Sequence, residues 1–189
     1  MIVRPMYNLV LLPDVNYYFK NDFLKDWSPV QIEAQERILF LVLRDNKPRE
    51  ELQPEDFYPI GVSARIDSIE EDGSIHVHTL ERVDISEIEI HDGYIEAEAC
   101  VRAEVDDLPK EEESERFTRI QRALLQFVQK YQWGMWARSY ILQWNNMEEV
   151  GCTLTEYLNL TPDEKYQILA ADSERERFNR MEQAIYELV

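Results

Sequence analysis

At 189 residues the chain has room for one large domain or two small ones, and 44% apolar against 31% charged residues support a packed core rather than wholesale disorder. With 38 Asp and Glu against 20 Lys and Arg, the formal charge is −18 and the isoelectric point is near 4.5. Such a surface repels phosphate, so neither nucleic acid nor an anionic membrane is an expected partner.

No run of about 18 apolar residues is present to span a bilayer, and Met1-Ile2-Val3-Arg4-Pro5 lacks the charged and apolar regions of a signal peptide. Cys100 and Cys152 stand far apart and without partners at metal spacing, which fits reduced thiols in a cytoplasmic protein. The first half reads as strands. Tyr7–Leu12 and Ile38–Leu43 are short apolar runs of the buried-strand kind. Between them Ser28-Pro29-Val30-Gln31 has the form of a helix start, predicting a short helix over about Pro29–Arg37. A polar loop follows from Asn46 to Pro54, and then a meander.

Ile60–Ile69 is strand-like, Glu71-Asp72-Gly73 supplies a turn, and Ile75–Leu80 returns. Arg82–Ile88 alternates apolar with polar residues, and Asp92-Gly93 turns the chain again. Ile95, Ala97, Ala99, Val101 and Ala103 then alternate with polar positions. Antiparallel strands at this spacing predict a small curled sheet or barrel. The periodicity breaks over Asp106–Glu113, which places a boundary between a β-domain of residues 1–110 and a helical part of residues 111–189.

Beyond it Phe117, Ile120, Leu124, Phe127, Val128 and Tyr131 recur at helical spacing, with Ser114 as the predicted N-cap, a break near Gly134 and resumption through Tyr140–Trp144. Capping boxes at Thr153…Glu156, Thr161…Glu164 and Ser173…Glu176 predict three more helices. The last carries Phe178, Met181, Ile185 and Leu188 on one stripe, and with no C-cap Gly or Pro it reads as part of a longer helix. Residues 1–110 hold 24 acids and 11 bases, a charge of −13, leaving −5 for residues 111–189. That balance predicts steering of basic unfolded segments, weakening as salt is added.

No catalytic constellation emerges. The five glycines are scattered singly, so no phosphate-cradling loop forms. No nucleophile elbow is present, and no His stands at a recognisable spacing from a Ser or Cys. His76 and His78, at i and i+2, share a strand face and can both reach one metal, with His91 the only other histidine. The plainer reading is two polar side chains on the wet face of a hairpin. Acid pairs Glu70/Glu71 and Asp106/Asp107 sit in turns and linkers, where solvated charge is the expected state. No metal and no cofactor are therefore expected.

Aromatic residues carry more. Tyr17, Tyr18, Phe19, Phe23 and Trp27 lie in a segment without clear periodicity; exposed, they form an apolar patch able to grip unfolded polypeptide, and buried, they cap the sheet. Trp133, Trp136, Tyr140 and Trp144 pose the same choice, and their helical setting favours the core.

Several phrases in order resemble the N-terminal domain of the Lon family of ATP-dependent proteases. These are Leu11-Leu12-Pro13, Gly61-Val62-Ser63-Ala64-Arg65-Ile66, Leu80-Glu81-Arg82-Val83-Asp84-Ile85, Tyr94-Ile95-Glu96-Ala97 through Leu108-Pro109, and Leu158-Asn159-Leu160-Thr161-Pro162-Asp163-Glu164-Lys165 with Ile168-Leu169. Thr79-Leu80 stands where that family has Gly, and the aromatic Asn16–Trp27 segment departs from its pattern. The resemblance implies an α+β chain, a PUA-like β pseudobarrel followed by a C-terminal helical bundle. It implies recognition of unfolded or damaged polypeptides, support of a hexamer of Lon protomers, and ATPase and Ser-Lys protease domains further along a parent chain. The expectation that substrate contacts Tyr17, Tyr18, Phe19, Phe23 and Trp27 comes from their aromatic character and not from the resemblance, since that segment departs from the family pattern. A free-standing relative or a purely structural oligomerisation module are the alternatives, and the PUA-like fold raises RNA binding, which the acid excess opposes.

Overall fold

The computed structural model describes residues 1–20 and 32–189. Among them are six strands: β1 (Val3–Met6), β2 (Asn16–Phe19), β3 (Arg37–Leu43), β4 (Phe57–Ile69), β5 (Ile75–Ile90) and β6 (Ile95–Val101). Five α-helices follow: α1 (Lys110–Val128), α2 (Gly134–Ile141), α3 (Met147–Thr153), α4 (Pro162–Ala170) and α5 (Glu174–Leu188). The architecture is α+β with one mixed sheet.

The strand order is β1-β3-β4-β5-β2, with β6 also on β5; β1 runs parallel to β3 and the other pairs are antiparallel. The residues read as two strands, Ile75–Leu80 and Arg82–Ile88, are one strand of 16 residues. Its first part lies between β4 and β2, Val83 and Asp84 lie between β4 and β6, and the remainder to Ile90 pairs with β6. Register shifts at Val62/Ala64, Ile66/Ser68 and Ile85/Glu87 bend the ladder as bulges do. Turns at Gly73 (φ 83°) and Gly93 (φ 100°) need the left-handed conformation that glycine adopts without a Cβ penalty. The sheet is not closed. Among the described residues the β1 side meets β6 through an isolated bridge, Ile2 to Glu96, and backbone hydrogen bonds between Met1 and Ala97.

β3 explains its own uninterrupted apolar run. Ile38, Phe40 and Val42 pack on one face with Ile60, Val62, Ala64 and Ile66, while Leu39, Leu41 and Leu43 pack on the other with Val3, Phe57, Val83 and Ile95. Each such fully buried side chain contributes about 1.5–3 kcal/mol. A strand with two dry faces has no polar positions to alternate.

Tyr7–Leu12 is not a strand; β1 lies earlier, at Val3–Met6. The run is apolar because the segment is wedged between two cores. Val10 and Leu12 belong to the helical core with Val150, Phe178 and Met181, and Leu11 to the sheet core. Side chains satisfy its backbone: Thr155 Oγ1 accepts from Val10 N at 2.6 Å, and Thr79 Oγ1 donates to Leu12 O at 2.8 Å. Asn8, at φ 53°, redirects the chain, and its Oδ1 accepts from buried Lys165 at 2.9 Å.

Other helix expectations shift. Ser28–Gln31 lies outside the described residues, and the described end of the expected Pro29–Arg37 helix is a turn at Ala34-Gln35 leading into β3. α1 starts at Lys110 after Pro109, so Ser114 is inside the helix; the fixed φ of Pro109 and Glu111–Glu113 in the first turn suit a helix N-terminus. Thr153 ends α3 instead of starting a helix, and the cap of α3 is Asn146, whose Oδ1 accepts from Glu149 N at 2.8 Å. Thr161 and Ser173 cap α4 and α5 as read, and Phe178, Met181 and Ile185 are buried.

Strand and helix regions are fastened at Leu169–Ser173. Arg82, whose side chain has no exposed surface, donates from Nε to Leu169 O at 2.8 Å and from Nη2 to Asp172 Oδ1 at 2.9 Å. Arg102 grips both Asp172 oxygens at 2.7 and 2.8 Å and reaches Asp84 at 2.6 Å. Val105 pairs with Ser173 in an isolated parallel bridge.

Candidate functional site

α1 ends at Val128 and the chain tightens through a turn, with Tyr131 N donating to Val128 O at 3.1 Å and Gly134 N to Tyr131 O at 3.0 Å. A Cβ on Gly134 would stand 2.0 Å from Val128 O, so only glycine permits this approach. Gly134→Ala should cost about 1–3 kcal/mol, in the range of overpacked sites, read from urea denaturation; an unchanged midpoint would show that the turn relaxes freely.

From that start α2 turns one narrow stripe inward. Gly134 and Ile141 are buried, Ala137 packs against the helical core, and Gln121 Nε2 donates to Ile141 O at 2.9 Å. The neighbouring stripe is Trp133, Trp136 and Tyr140, all exposed, flanked by exposed Tyr131, Met135 and Leu142. Met135 retains 88% of its surface and Trp136 65%. The rings brace one another. Tyr131 stacks on Trp133 at 5.0 Å and meets Phe127 edge-on at 5.3 Å, and Trp136 leans on Tyr140 at 4.5 Å. Rigid aromatic side chains on a helix lose little entropy on contact and give most of the energy at binding surfaces.

The local charge opposes the global one. Residues 116–147 contain no Asp or Glu and five bases, Arg116, Arg119, Arg122, Lys130 and Arg138. Lys130 and Arg138 are exposed beside the rings. The exposed rings thus belong to the longest stretch of the sequence without an acid, within a chain of charge −18.

The aromatic segment near the start is divided. Tyr17 packs against both cores, with rings of Phe19 at 5.8 Å and Phe40 at 6.2 Å, and burial pushes its hydroxyl pKa up. Phe19 lies 5.7 Å from Phe40. Tyr18 points to solvent beside His76, ring centres 5.0 Å apart. Phe23 and Trp27 lie outside the described residues.

His76 and His78 engage different neighbours: His76 Nε2 is 3.7 Å from Glu70, and His78 Nδ1 is 2.9 Å from Asn16 Oδ1. Asp107 accepts from Ser173 Oγ at 2.6 Å and Arg175 N at 2.9 Å, and these bonds hold its carboxyl below the usual range. Buried Cys152 is pushed up to about 12 by desolvation, which leaves a poor nucleophile.

Helical periodicity alone missed the α2 surface. Trp133, Trp136 and Tyr140 recur at helical spacing, and so do Gly134, Ala137 and Ile141; spacing finds two stripes without saying which is dry. The missing acid across residues 116–147 was the available signal.

A small mixed sheet fastened to five helices, with exposed rings gathered on the helical side, defines an α+β domain. The profile of the ATP-dependent protease La (LON) substrate-binding domain matches residues 30–185, and the chain belongs to that family. It is 25% identical over 182 residues to a Lon protease of Clostridium beijerinckii, covering 93% of this chain and 22% of that protein. The chain thus spans about a fifth of that relative's length. Among solved structures, the N-terminal domain of Mycobacterium avium complex Lon protease superposes with TM-score 0.60 at 14% identity, over 100% of this chain and 98% of that one. A Lon N-terminal domain protein from Xanthomonas campestris gives 0.53 at 17% identity, with the same coverage.

Proposed function

We propose that the chain is a non-catalytic, polypeptide-recognising N-terminal domain of a Lon-type ATP-dependent protease. It takes unfolded or damaged segments on the exposed rings of Trp133, Trp136 and Tyr140 with Met135 and Leu142. The observation that carries this reading is that aromatic surface, braced on a helix within a stretch of sequence that holds no acid. Tyr18 is a smaller contact of the same chemistry. Because Lys130 and Arg138 border the rings, segments that mix acidic and aromatic residues fit better than basic ones, the reverse of what the net charge favours.

The parent context belongs to the same proposal: a cytoplasmic hexamer, ATPase and Ser-Lys protease domains further along, and a PUA-like pseudobarrel whose near closure is the Ile2–Glu96 bridge. Family membership supports it, and so does multivalency, since six weak sites facing one entrance hold a chain that one site releases. The domain itself uses no cofactor.

The test is titration with a reduced and alkylated model protein, followed by NMR. Shifts should cluster on residues 131–142. Replacing Trp133, Trp136 and Tyr140 together by serine should weaken binding about tenfold or more, the loss of at least one hot spot, while the melting temperature holds. Equal binding by that variant would end the assignment, and concentration-dependent self-association lost in the same variant would transfer the surface to assembly.

A further inference from the structure

The hairpin between β5 and β6 holds a cluster that the polypeptide-binding reading does not use. Register places Glu89 directly opposite Glu96. Like charges facing each other across an antiparallel pair are destabilising unless a cation stands between them. His91, in the turn, supplies the third group. Its N donates to Tyr94 O at 2.9 Å, and its ring stacks on Tyr94 at 4.5 Å, which fixes the imidazole plane.

That orientation aims Nε2 between the carboxylates, 3.3 Å from Glu89 Oε2 and 3.6 Å from Glu96 Oε2. Nε2 is closed to solvent and makes no hydrogen bond. The three donor atoms lie within 4.8 Å of one another. Tetrahedral bonds of about 2.0–2.1 Å put ligand atoms about 3.3–3.4 Å apart, so the two measured separations are already close to those of a bound ion. A buried ring nitrogen without a hydrogen bond, facing two opposed carboxylates, calls for one cation.

We propose that Glu89, His91 and Glu96 form a zinc site at this hairpin, with imidazole and carboxylate ligands and a fourth position open to water. The imidazole selects against calcium and magnesium, which prefer all-oxygen ligands. Glu89 and Glu96 are partly exposed, so the ion exchanges with solution and fastens the hairpin without being needed for folding. His76 and His78, the pair that spacing suggests, are spoken for by Glu70 and Asn16.

The experiment is calorimetric titration of the 189-residue chain with zinc chloride at neutral pH, alongside NMR of the histidine rings. One saturable zinc per chain is expected, with the His91 ring signals moving and those of His76 and His78 still. His91→Ala and Glu96→Gln should each weaken binding about tenfold or more. Glu96→Gln covers the case in which His91→Ala disturbs the turn. Cys100→Ser and His76→Ala should leave binding unchanged. Absence of saturable binding, retention of full affinity in Glu96→Gln, or loss in Cys100→Ser would overturn the assignment. So would a hairpin stabilised by acid and untouched by zinc, which would make His91 the proton-carrying partner of the two glutamates.

Discussion

Asp172→Ala should lower stability by about 3 kcal/mol in urea denaturation followed by fluorescence. Breaking a buried pair costs about 3–5 kcal/mol because the partner charge is left without compensation. Here Arg82 is fully buried and would lose one of its carboxylates, while Asp172 keeps 45% of its side-chain surface, which holds the loss to the lower end of that range. Glu176→Ala is the comparison. Its pair with Arg180 is solvated on the face of α5, and removing it should cost only about 0.3–0.5 kcal/mol. A loss below about 1 kcal/mol for Asp172→Ala would mean that water replaces the carboxylate and the fastening is weak. Arg102 first, and then Arg82, hold the Asp172 carboxyl down at about 2, against 3.8 when unfolded. Its stabilisation is therefore complete above about pH 4 and disappears as pH falls towards 2.

Glu148 should give the opposite slope. It sits in the first turn of α3, where the helix dipole favours the anion, yet burial pushes its carboxyl up to about 7, helped by the like charges of Glu113 and Asp14 and opposed by Arg177. The folded state then holds a proton that the unfolded chain releases above about 4.5. Stability should fall between about pH 4.5 and 7 and level off beyond. Glu148→Gln should flatten that limb and stabilise the chain by about 2–3 kcal/mol at alkaline pH, with little change in acid. Parallel limbs for both proteins would show that Glu148 is ionised at no cost.

Much of the fold was legible where one local rule decides the outcome. Gly73 and Gly93 marked their hairpins, β3 stood out as an apolar run and β4 as strand-like, and Thr161 and Ser173 announced their helices by hydroxyl caps. Errors came where tertiary contacts override local pattern. Tyr7–Leu12 has the composition of a strand because two cores press on it, though it joins no ladder. Thr153 has capping spacing to Glu156, but the chain there is already closing a helix begun at Asn146. Trp133 and Tyr140 are spaced like core residues, and the smaller Gly134–Ala137–Ile141 stripe takes the buried place. The Glu89–His91–Glu96 cluster needed the β5–β6 register, which no single segment contains.

The wedged segment also sets a schedule for synthesis. Val10 is bonded to Thr155, 145 residues later, and packs with Phe178 and Met181. At about 5–20 residues per second, a ribosome needs roughly 10–30 s between making that run and its last partners. During the interval Val10, Leu12 and Val15 lack the helices that cover them. Slower translation lengthens that exposure, so a chain from a Lon-type family would itself pass through a state that holding chaperones recognise.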